Sequence, residues 1–110
     1  MANAYKVLAQ SDPTAETATN IYTVPASTES VISTIIIANR AAAANTFRLS
    51  IRPNGAVQAD EHYIAYDVPV AANDSTTLTL GITMDAADVL TVYTGAAAEI
   101  SVNVFGTEIS

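Results

Sequence analysis

Apolar residues along this chain recur with period two, in short runs separated by turn-forming residues. Residues 46–52 show it cleanly, with Phe47, Leu49 and Ile51 alternating with Thr46, Arg48, Ser50 and Arg52. Successive side chains on a strand point to opposite faces, so the pattern predicts a strand with one dry and one wet face. Residues 76–84 repeat it, setting Leu78, Leu80, Ile82 and Met84 against Thr77, Thr79, Gly81 and Thr83. Residues 100–105 set Ile100, Val102 and Val104 against Ser101, Asn103 and Phe105. Further strands are predicted at 21–24, 62–66 and 89–93, with 68–70 as a separate extended segment around Pro69. Pro25 stops the first of these, because it has no amide hydrogen to give a ladder.

The intervals carry turn chemistry. Asn54-Gly55 after Pro53 supplies the positive φ angles of a tight turn, and Asp85 and Asp88 bracket another. Ala41 to Ala44 have helix propensity but are too few to hold an isolated helix, so a turn is predicted there as well. No segment has a helical period. Seven to eight short strands at near-regular spacing predict an all-β fold, a single antiparallel β-sandwich of jelly-roll or immunoglobulin-like type. Residues 1–18 form an N-terminal arm or first strand, and residues 19–110 the sandwich domain.

One stretch departs from simple alternation. In residues 31–40, Val31, Ile35 and Ile37 fall on one parity, and Ile32, Ile36 and Ala38 on the other. Such a strand is apolar on both faces and β-branched enough to suit a ladder, yet too short to span a membrane. A buried Ile stabilises by roughly 1.5–3 kcal/mol, so neither face is expected to stay wet. One face predicts a core. The other predicts a second cover, with Ile32 and Ile36 as interface residues.

Composition sharpens this picture. The 110 residues contain eleven acids against four Lys and Arg, a net charge of −7, which leaves no cationic face for nucleic acid. Cysteine is absent, which removes disulfides, thiolate nucleophiles and zinc–thiolate sites from consideration. The first residues lack a charged region followed by an apolar one, so no secretory leader is expected. The sparse charge and the abundance of Ala and Thr suit a chain that lives in contact with copies of itself.

Candidate chemistry is thin. His62 is the single histidine, and its sequence neighbours Asp60 and Glu61 are not spaced to orient it as a base. Asp85 and Asp88 have a turn role that needs no metal. Tyr5, Tyr22, Tyr63, Tyr66 and Tyr93 fit an interface or a sugar-binding surface, and the absence of Trp weighs against the sugar. Arg48 and Arg52 share one outward face, free to meet acids on a neighbour or to be solvated. The residues point to no enzyme and no cofactor, and to Tyr5, Val7, Ile32, Ile36, Arg48, Arg52 and Tyr63 as contact positions.

Several stretches together resemble a family of small virion structural proteins of tailed bacteriophages. They are Ala4-Tyr5-Lys6-Val7-Leu8-Ala9-Gln10, Ile21-Tyr22-Thr23-Val24-Pro25 and Ser33-Thr34-Ile35-Ile36-Ile37-Ala38-Asn39-Arg40. Phe47-Arg48-Leu49-Ser50-Ile51-Arg52-Pro53, His62-Tyr63-Ile64-Ala65-Tyr66-Asp67 and Val104-Phe105-Gly106-Thr107-Glu108-Ile109 complete the set. The resemblance covers nearly the whole chain and rests on a general pattern, with no catalytic signature. It implies a capsid decoration, or cement, protein made in the host cytoplasm and carried on the capsid exterior. Its implied partners are the major capsid protein and copies of itself, as a homotrimer, with no nucleic acid or membrane. A place in the tail, neck or baseplate is the alternative, and a glycan-binding attachment module a further one.

Overall fold

A computed structural model describes residues 3–95 and 99–110; residues 1, 2 and 96–98, which include parts of the predicted arm and of the 94–99 connection, lie outside the described residues. The described chain forms β1 (Asn3–Ser11), β2 (Thr19–Thr23), β3 (Glu29–Asn39), β4 (Asn45–Arg52), β5 (Tyr63–Val70), β6 (Ser75–Met84), β7 (Val89–Thr94) and β8 (Ile100–Ile109). Single 3₁₀ turns at Pro53–Gly55 and Asp60–His62 precede β5. The strands make two four-stranded antiparallel sheets, ordered β1-β8-β3-β6 and β2-β7-β4-β5. First pairs with last, second with seventh, third with sixth and fourth with fifth. That is one long antiparallel ribbon rolled on itself, a jelly roll, and not the immunoglobulin strand order.

The core lies between the sheets. Ile32, Ile35 and Ile37 of β3 and Ile100, Val102 and Val104 of β8 meet Phe47 and Leu49 of β4 and Leu90 and Val92 of β7. The alternation read in 46–52 and 100–105 is therefore as the sequence predicts. The Asn54-Gly55 turn is too, with φ of 53° and 69°.

β3 overturns its predicted parity. Ile32 lies opposite Gly106 of β8, and the next paired residue, Thr34, lies opposite Phe105, so Ser33 is an extra residue. This β-bulge is tied down by the Ser33 hydroxyl, which donates to the Phe105 carbonyl at 3.2 Å. It swaps the faces of everything beyond it. Ser30 and Ile32 before the bulge, and Ile35, Ile37 and Asn39 after it, are all buried on the core side. Val31, Ile36 and Ala38 face outward, half-buried. Ile32, expected at an interface, is a core residue, and the outward partner of Ile36 is Val31.

Around the Phe105 level the register also breaks in the two edge strands of this sheet. Leu8 is the extra residue where β1 meets β8, and Leu80 and Gly81 stand against Ser33 where β6 meets β3. The predicted N-terminal arm is part of the sheet as β1, paired with β8 from Asn3 to Ser11 and exposed along its first half.

A polar clasp joins the two sheets at one end. The Tyr22 hydroxyl, brought by β2, lies 2.6 Å from the Ser30 hydroxyl on β3 and donates to Glu108 Oε2 on β8 at 2.5 Å. Glu108 Oε1 in turn holds Lys6 Nζ of β1 at 2.6 Å. Burial, then the bond to Glu108, pushes the Tyr22 pKa up from 10.0 to about 12. The Lys6 ammonium, then the Tyr22 hydroxyl, holds Glu108 below the usual carboxylate range. The fold thus favours a protonated Tyr22 and an ionised Glu108. Stability from Tyr22 is complete below pH 10.0 and is lost as pH rises through about 12. Stability from Glu108 is complete above the ordinary carboxylate pKa and is lost as pH falls through its lowered one. Melting temperature against pH is expected to fall at both ends, and Tyr22→Phe to flatten the alkaline limb. An alkaline limb equally steep in the variant would remove Tyr22 as its cause.

β5 joins two segments that the sequence reading separates. His62 closes the 3₁₀ turn, its Nδ1 accepting from the Ala59 amide at 3.1 Å, and the strand runs through Pro69 to Val70. Pro69 is tolerated because β5 is an edge.

Candidate docking face

The outer face of the β1-β8-β3-β6 sheet is built in rows fixed by register. Asn3, Ile109 and Glu29 form the first row; Tyr5, Thr107, Val31 and Thr83 the second. Val7, Phe105, Thr34 and Thr79 form the third, at the bulge line; Gln10, Asn103, Ile36 and Thr77 the fourth; Ser101, Ala38 and Ser75 the fifth. Among these residues Glu29, at a corner, is the one charge. Threonine and serine hydroxyls surround an apolar centre of Val31, Ile36, Phe105 and Val7, with Tyr5 81 % and Val7 47 % exposed. Charged side chains are depleted at the centres of protein interfaces because their desolvation is costly, and aromatic residues are enriched there. The face has no titratable pair for catalysis. It is suited to exclude water against another protein.

Tyr5, Val7 and Ile36 of the predicted contact residues share this face. Val31 belongs with them but is not readable from parity, because the Ser33 bulge hides it. Phe105 is readable, as the outward partner of Ser101 and Asn103.

Arg48 and Tyr63 lie on the opposite face of the molecule, on the β2-β7-β4-β5 sheet. The Arg48 guanidinium is sandwiched 4.2 Å from the Tyr66 ring centroid and 4.4 Å from that of Tyr93. Its Nε donates to Asp67 Oδ1 at 2.7 Å, and that bond holds the guanidinium firmly charged. Tyr63 meets Tyr66 edge to face, ring centroids 4.9 Å apart. Tyr63 and Tyr66 are three residues apart and would face opposite ways on a regular strand. Two register shifts against β4, and Asp67 with φ of 50°, interrupt that alternation and bring the two rings together, Tyr66 on Arg48 and Tyr63 against Tyr66. Arg48 is thus held within the chain, its side chain 24 % exposed. It is the centre of a stacked cluster.

Arg52, four residues on, is wholly internal in its bonding. Its Nε donates to Thr91 Oγ1 at 3.1 Å, its Nη2 to Asn20 Oδ1 at 2.7 Å, and its Nη1 to the carbonyls of Gly55 and Ala56 at 3.3 and 2.8 Å. It pins the Pro53–Gly55 turn to β7 and β2. Of the five tyrosines proposed for a sugar surface, Tyr63, Tyr66 and Tyr93 gather. Tyr22 is inside the clasp and Tyr5 is on the other face.

A cleft of about 370 Å³ at the clasp end is lined by Glu29, Asp85 and Asp88. Asp88 spends both oxygens on backbone amides, Oδ1 accepting from Asn54 at 2.8 Å and Oδ2 from Asp85 at 2.9 Å. That is turn chemistry. No group of three or more His, Cys, Asp or Glu poised to hold a metal occurs among the described residues. No helix among them is long and apolar enough to cross a membrane. No protein-family model, curated protein or solved structure matches the chain.

Proposed function

We propose that the chain is a non-catalytic virion structural protein of a tailed bacteriophage, most simply a capsid decoration protein. The observation that carries the reading is the outer face of the long sheet, whose rows hold no charge but Glu29 at one corner. Four strands about 4.8 Å apart and ten residues long at about 3.3 Å each give a footprint of roughly 600 Å². That is close to the ~800 Å² per partner of a specific, stable protein interface. Binding of this kind across neighbouring capsid subunits stabilises a shell with no reaction, and repetition by symmetry multiplies it.

The resemblance to virion structural proteins supports the same reading from the sequence side. The jelly roll by itself does not choose, since capsid and lectin domains both use it. A glycan-binding role would draw on Tyr63, Tyr66 and Tyr93. Tyr66 and Tyr93 already turn a ring face to Arg48, which leaves less open aromatic plane for a sugar.

The test is quantitative composition of purified particles carrying the chain. Near parity with the major capsid protein is the expected result. A few to a few dozen copies would move the protein to the tail or neck, and absence from particles would overturn the virion reading.

A further inference from the structure

The two sheets treat their edges differently. In the β2-β7-β4-β5 sheet, β2 is a short strand followed closely by Pro25, and β5 carries Pro69, Asp67 and two register shifts. These are the usual protections against unwanted strand pairing. The edge strands of the β1-β8-β3-β6 sheet have register breaks at Leu8 and at Leu80 and Gly81, but no proline and no carboxylate. β6 reads Ser-Thr-Thr-Leu-Thr-Leu-Gly-Ile-Thr-Met, ten residues without charge or proline and rich in strand formers. β1 carries one charge, Lys6, whose ammonium is engaged by Glu108 at 2.6 Å.

We propose that copies of this chain join head to tail, β6 of one copy pairing with β1 of the next so that the long sheet continues across the seam. Polarity favours it. Three antiparallel pairings separate β1 from β6, so the two edges run in opposite directions and a copy placed alongside presents β1 antiparallel to β6. A ladder that continues the rows of the sheet brings Thr79 to Val7 and Thr83 to Tyr5 of the next copy, with the break at Leu8 on one side of the Thr79–Val7 row and that at Leu80 and Gly81 on the other. Chain charge of −7 opposes self-association in general, but no carboxylate lies within either strand. A heterologous contact of this kind closes into a ring or runs on as a filament, whereas β1 against β1 would stop at a two-fold dimer.

This seam does not depend on the virion reading and is tested on the purified full chain alone. Light scattering is expected to give a species larger than a dimer; a monomer at tens of micromolar overturns the proposal. The chain has no cysteine, so single ones report pairing directly. Thr79→Cys and Val7→Cys, both at exposed positions, are expected to yield a covalent pair on mild oxidation when mixed and none when oxidised separately. Thr83→Cys with Tyr5→Cys repeats the test one row away, with circular dichroism confirming the fold. Cross-linking of Val7→Cys alone means β1 against β1 and overturns the proposal, as does failure of both mixtures.

Discussion

Ile32→Asp is expected to unfold the protein, while Ile36→Asp, on the same strand, is expected to leave the jelly roll folded and abolish docking. Ile32 is 0 % exposed, between the sheets and opposite Gly106 and Ile82. A carboxylate there has no partner, and an unpaired buried charge or the proton needed to neutralise it costs more than about 4–5 kcal/mol. That is comparable with the whole stability of a small domain, about 5–15 kcal/mol. Ile36 is half-buried among Asn103 and Thr77, with water on its open side. Its replacement should cost the monomer no more than about 1 kcal/mol, since the carboxylate stays hydrated. Far-UV circular dichroism and thermal melts read the first effect, and co-sedimentation with particles reads the second. Folded Ile32→Asp would contradict the bulge at Ser33, and particle binding by Ile36→Asp would contradict the docking face.

Gly106→Val is the second large effect. Gly106 faces the core at the bulge line, paired with Lys6 and Ile32. A Cβ there would overlap the Val31 carbonyl oxygen and stand 3.1 Å from the Ile32 Cα and 3.0 Å from Leu8 Cδ1. Two of those three atoms are backbone and cannot rotate away. Overpacking usually costs about 1–3 kcal/mol, and this substitution is expected at or above the top of that range. Gly81→Ala is its control, because a Cβ at Gly81 meets nothing within 4 Å. Chemical denaturation of the two variants should separate them by more than about 2 kcal/mol. Equal midpoints would mean that the close approach of β8 to β3 is not needed.

What the sequence reveals depends on whether a strand keeps its register. The alternation of Phe47, Leu49 and Ile51 is legible because β4 pairs with β7 residue for residue, and so is that of Ile100, Val102 and Val104. β3 is legible as a central strand but not as to faces, since Ser33 is an ordinary residue whose bulge is set by β8, far away in sequence. Tyr63, Tyr66 and Tyr93 could not be grouped for a similar reason. The stacking of Tyr66 and Tyr93 on Arg48, with Tyr63 against Tyr66, depends on the positive φ of Asp67 and on pairing with β4. Arg48 and Arg52 look equivalent in sequence and are not, because only Arg52 finds loop carbonyls and Asn20 within reach. The proposed docking face is legible only in part. Absence of charge can be read residue by residue, but which uncharged residues share a row is a property of register.

The pairing of Asn3 with Ile109 sets how the molecule carries load. β1 and β8 lie side by side with Asn3 and Ile109 at one corner, so tension applied through those two residues peels their hydrogen bonds apart one at a time. Traction spread over the rows of the long sheet instead strains many bonds together and passes through the core to the other sheet. Pulled at that corner, the molecule is therefore expected to unzip from β1.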